Sequence, residues 1–133
     1  MHDPSLRFKD PPLLPHGVVV EVLNGALSDR SQEAAAADAL VGAALHDDDR
    51  EFVENCCLTV GTRAVAGSPL LGLAGLCLGH VARRFGCLGD QARALAEALA
   101  LRAAADPSNV DGRALDGMDD IRSYLDLDHS EDS

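Results

Sequence analysis

The residues whose types could do chemistry are four cysteines, Cys56, Cys57, Cys77 and Cys87, one well-placed histidine, His80, and a run of aspartates at 47–49. Cys77 and His80 stand three apart, so on a helix they share a face. A preceding helix carrying Cys56 and Cys57 could bring a thiolate beside them. Thiolates and an imidazole are zinc ligands. Against that, no C-x-x-C pair occurs, and adjacent cysteines rarely hold one ion together. We read the cysteines as small buried hydrophobes and expect no metal and no cofactor. Asp47, Asp48 and Asp49 suggest calcium only until the spacing is considered. A calcium loop spreads its oxygen ligands along a longer turn and closes on a distal Glu. Caps and helix N-terminal charge partners explain the run better.

These residues must be positioned by helices, and the clearest is Pro69 to Gly86, PLLGLAGLCLGHVARRFG. Leu70, Leu73, Ala74, Cys77, Leu78, Val81, Ala82 and Phe85 recur at spacings of three and four. Ser68 suits the N-cap, Pro69 the first helical position, and Gly86 the left-handed residue that ends the helix. Gly72, Gly75 and Gly79 each cost roughly 1 kcal/mol against Ala inside a helix. They fall on one stripe, which predicts close packing against a neighbouring helix, with a docking strip for a partner as the alternative. The same spacing is helical and does not form a phosphate-cradling loop.

Forty residues on, the pattern returns. Leu70 aligns with Val110, Ala74 with Ala114, Cys77 with Gly117, Leu78 with Met118 and Val81 with Ile121. Each copy follows a loop, AGSP or DPSN. A period near forty with two helices per unit resembles the HEAT-repeat family. The resemblance covers about residues 50–127, reaching back towards 30. It is carried most specifically by LAGLCLGHVAR (73–83) and DGRALDGMDDI (111–121), which look like a small group of bacterial HEAT-like proteins. Asp106 fits the family's turn aspartate, whereas the usual arginine positions hold Leu71 and Asp111. The resemblance implies an all-α fold, a short HEAT-like α-solenoid of antiparallel helix pairs. It also implies that second helices line a binding surface presenting Leu71, Gly75, Leu76, Arg83 and Asp116 through Asp120.

At this offset His80 corresponds to Asp120, and stacked repeats would set them on neighbouring helices as a structural imidazole–carboxylate pair. A catalytic dyad would also need a nucleophile and a pocket, and neither is evident. Asp116, Asp119 and Asp120 form an acidic ridge beside Arg83 and Arg84, and partner contacts are expected there.

The 133 residues suffice for one domain with a real core. Apolar residues make up 47% but aromatics only 3%, so alanine and leucine must fill a core of closely packed helices. The net charge of −11 repels phosphate backbones, which argues against nucleic acid and for a basic protein partner. No basic region followed by an apolar run marks a secreted chain, and no apolar stretch reaches the roughly 18 residues of a membrane span. A cytoplasmic location is expected.

Residues 1–16, with four prolines, read as a disordered arm, 17–127 as the helical domain and 128–133 as an acidic tail. Helices are expected at about Val18–Leu27, Arg30–His46, Arg50–Ala66, Asp90–Ala105 and Asn109–Leu127. The expected function is non-catalytic protein binding, as an adaptor or scaffold. An immunity-type inhibitor of a basic toxin, and a small metal or enzymatic protein using Cys77, His80 and Asp120, are the alternatives. Self-association is another use of the same surface.

Overall fold

The computed structural model describes residues 11–125, and among these the chain forms helices and no strand. Helix α1 spans His16–Ser28, and a 3-10 turn at Arg30–Gln32 leads into α2, Glu33–His46. Then come α3 (Arg50–Arg63), α4 (Pro69–Phe85), α5 (Asp90–Ala105) and α6 (Arg113–Leu125). The tail at 128–133 and most of the expected arm lie outside the described residues. Residues 11–15 of that arm are not helical, and they touch the fold at two points. The Pro12 carbonyl lies over Gly42 of α2, and Leu14 is half-buried against the core.

Local chemistry explains the helix ends. Ser68 Oγ accepts from the Leu70 N–H at 3.2 Å, Pro69 opens α4, and Gly86 closes it at φ 70°. Asp49 caps α3 by accepting from the Phe52 N–H, while Asp47 accepts from the Asp49 N–H. The aspartate run is thus a capping loop. Valine-rich α1 is helical because tertiary contact overrides strand propensity: Val19, Leu23 and Ala26 are buried where it packs on α2 and α3.

The last helix starts at Arg113 rather than at the expected Asn109. Aspartate side chains there compete with the helical backbone. Asp106 accepts from the Ser108 N–H and hydroxyl, and Asp111 from the Arg113 N–H. The Gly67 N–H donates to the Asn109 carbonyl, tying the two repeat-related loops together. Val110 is fully buried from this non-helical stretch.

α4 is the centre of the packing, touching α2, α3, α5 and α6. Ser68 Oγ donates to Glu33 at 2.7 Å and Arg84 reaches the Ala44 carbonyl, so α2 and α4 lie side by side in the same direction. α4 meets α6 the same way, Gly72 beside Asp111, Gly75 beside Ala114 and Gly79 beside Gly117. This seam is the most extensive among the described helices. A Cβ on Gly75 would stand 2.9 Å from Ala114 Cα, and one on Gly79 2.8 Å from Gly117 Cα. The glycine stripe lets two backbones approach within reach of each other. α3 and α5 are aligned likewise, with Glu54 beside Gly89 and Gly61 under Leu95.

Candidate interaction surface

With neighbours on four sides, α4 exposes little. Eleven of its residues are buried, and Leu76, His80 and Arg83 form an outward strip at i, i+4 and i+7, with Arg84 and Phe85 beside its C-terminal end. Arg83 Nη2 lies 2.9 Å from His80 Nδ1. A guanidinium can only donate, so Nδ1 accepts and the ring keeps its proton on Nε2. Burial, helped by the Arg83 charge, holds the His80 pKa below its ordinary value, and Asp120 opposes this. The imidazole is neutral and anchored on its own helix.

The seam sets α6 beside this strip. Gly117 presses on the Leu76 backbone, and Asp120 Cβ closes over Gly79. Asp116 and Asp119 are exposed and Asp120 half-buried, so an acidic ridge flanks the apolar, imidazole and guanidinium groups of α4.

Several residues expected on a partner surface are placed elsewhere. Leu71 is fully buried, and Gly75 lies under Ala114 because α6 covers the glycine stripe. Arg84 points back into the fold. Its Nη1 donates to the carbonyls of Ala44 at 2.8 Å and Asp47 at 2.9 Å, satisfying the end of α2, and its guanidinium lies over the Phe85 ring. His80 and Asp120 are neighbours, but among the described residues His80 bonds to Arg83 and no hydrogen bond joins it to Asp120.

The cysteines divide by burial. Cys56, Cys57 and Cys77 are buried and Cys87 is exposed. Burial pushes the Cys56 and Cys77 thiols up to about 12, and Cys57 well above its ordinary value. Such thiols stay protonated at neutral pH and are poor nucleophiles and ligands. Among the described residues no group of three or more His, Cys, Asp and Glu side chains converges to hold a metal ion. No helix there is long and apolar enough to cross a membrane.

Sequence reasoning missed two features. Between α1 and α3 lies an open cavity of about 410 Å³, with Leu23, Phe52 and Cys56 inside and Asn24, Asn55 and Arg63 around it. At the α1 end of this layer, the His16 ring stacks on Phe52 at 3.6 Å while Nε2 bonds to buried Asp47 at 2.7 Å. These partners lie more than thirty residues apart, and no local pattern announces them. No family model, curated protein or solved structure matches the chain.

Proposed function

We propose that the chain is a non-catalytic protein-binding module, a short HEAT-like solenoid of antiparallel helix pairs that docks a basic partner along α4 and α6. Three pairs, α1–α2, α3–α4 and α5–α6, account for the helices described, and each helix also touches the one two places on. That is the neighbour pattern of a stacked repeat array. The observation that carries the reading is the strip itself. Leu76, His80 and Arg83 on α4 correspond at the forty-residue offset to Asp116, Asp120 and Ser123 on α6, and none of the six is buried. A central helix that turns one mixed strip outward, beside carboxylates and on a chain of net charge −11, suits a cationic protein surface. The same charge disfavours a nucleic acid. The alternative built on Cys77, His80 and Asp120 draws no support from a buried, protonated Cys77.

The test is affinity capture from the native cell with wild type and with an Arg83→Glu, Asp116→Arg variant. Both residues are exposed, so the variant keeps the wild-type helix content by circular dichroism. A basic protein recovered in equal amount with the wild type and lost with the variant supports the strip. The same protein recovered with both refutes it. Assaying that protein's own activity with and without the chain separates an adaptor from an immunity-type inhibitor.

A further inference from the structure

The forty-residue offset also shows which face of the α5–α6 pair corresponds to a stacking face and is open among the described residues. On α3, the Glu54 carboxylate accepts from the Gly89 N–H at 3.0 Å and Gly61 lies under Leu95, so these positions face α5. On α4, Gly72, Gly75 and Gly79 face α6. The equivalents are Ala94 and Leu101 on α5, Gly112 just before α6, and Leu115 and Asp119 on α6. Every one is exposed: Leu101 by 73%, Leu115 by 39%, and a Cβ on Gly112 would meet nothing within 4 Å. A shallow cavity of about 330 Å³ runs along this face between Ala100, Ala104 and Leu115, with Glu97 and Arg122 on its rim.

A face of a repeat unit on which no further unit stacks is ordinarily polar. Here that face is largely Ala and Leu, the composition of a surface that is covered. Its charges say by what. Glu97, which also pairs with Arg93 on its own helix at 3.4 Å, stands on α5, and Arg122 and Asp119 stand on α6. The short 106–112 connection joins the C-terminus of α5 to the N-terminus of α6. Ala104 and Leu115 therefore lie at the connection end of the groove, and Glu97 and Arg122 together at the other. A twofold axis running along the groove lays α5 of one copy over α6 of the next. It matches apolar end to apolar end and sets each Glu97 opposite an Arg122. Unlike the acidic strip on α4 and α6, this face complements itself.

We propose that the outer face of α5 and α6 is a homodimer interface, closed by a twofold axis parallel to the helices, with Leu101 at its centre and two reciprocal Glu97–Arg122 pairs. The proposal does not rest on the partner strip: the two surfaces share Asp119 at their border, but Leu101, Glu97 and Arg122 belong to this face alone.

Sedimentation equilibrium of the full chain tests it, from about 1 to about 100 μM, a range that reports interfaces of ordinary strength. The wild type is expected at twice the chain mass of 13.9 kDa. L101E is expected to dissociate at least about tenfold more readily. Its helix content should be unchanged, since Leu101 is already in solvent in the single chain. E97R and R122E should each weaken the dimer about tenfold, and the E97R/R122E double variant should recover most of the loss. A wild type that stays monomeric overturns the proposal, as does a dimer indifferent to L101E. Single reversals that the double variant fails to rescue overturn the twofold arrangement.

Discussion

Replacing Gly117 by Ala tests the α4–α6 seam most sharply. A methyl there is directed at the Gly75 carbonyl, 2.6 Å from its carbon and 2.9 Å from Leu76 Cα. The obstacles are backbone, so no side-chain rotamer relieves them. Restoring ordinary contact near 3.5 Å or more requires α4 and α6 to part by on the order of 1 Å, which loosens every contact along the seam. Helix propensity favours the change by roughly 1 kcal/mol. Overpacking against a rigid neighbour costs about 3 kcal/mol or somewhat more. The net expectation is a loss of about 2–3 kcal/mol. For a domain of this size that lowers Tm by roughly 10 °C. Urea unfolding followed by circular dichroism measures the change, and an unaltered m-value would confirm that the comparison is of stability alone. Gly112→Ala is the control. It meets open space just before α6 and should change stability by no more than about 0.5 kcal/mol. A G117A protein as stable as wild type would refute the close approach and the reasoning built on the glycine stripe.

Other outcomes follow from single groups. Ser68→Ala removes the α4 cap and the hydroxyl that donates to Glu33, and should cost about 2 kcal/mol in the same urea experiment. The depressed His80 pKa gives a pH dependence of defined sign. Above its ordinary value of 6.5 the ring is neutral folded or unfolded; as pH falls below 6.5 the unfolded ring takes up a proton first, so stability is lost. His80→Gln should flatten that slope, which melting curves between pH 7 and 5 would show. Asp111, held below its ordinary 3.8 by the Arg113 guanidinium, contributes stability that is lost only in stronger acid, as pH falls through 3.8 and below. With a thiol reagent, Cys87 alone of the four cysteines should react rapidly in the folded chain, and all four in denaturant.

Much of α4 was legible because its signals are local. Ser68, Pro69 and Gly86 mark its ends, and Gly72, Gly75 and Gly79 announce a close neighbour without naming it. Which neighbour, and on which side, is tertiary information. Leu71 and Gly75 read as surface residues on their own, although the fold buries Leu71 and α6 covers Gly75. The repeat offset carried burial better than it carried helix boundaries. Val110 keeps the buried role of Leu70 but stands outside α6, since Asp106 and Asp111 tie their own backbone into turns. Arg84 and His16 were illegible for a different reason. Each satisfies polar groups some thirty to forty positions away, and nothing in their surroundings along the chain distinguishes them from solvated residues.

The glycine seam also bears on the order of folding. Gly75 and Gly117 are more than forty positions apart, so forming their contact closes a long loop and is slow relative to the pairing of helices adjacent in sequence. Until the C-terminal helix arrives, α4 has glycines on an uncovered face and little to hold it there. During synthesis the chain therefore spends an interval with the glycine stripe of its central helix uncovered. It crosses into the native state only when its last helix docks.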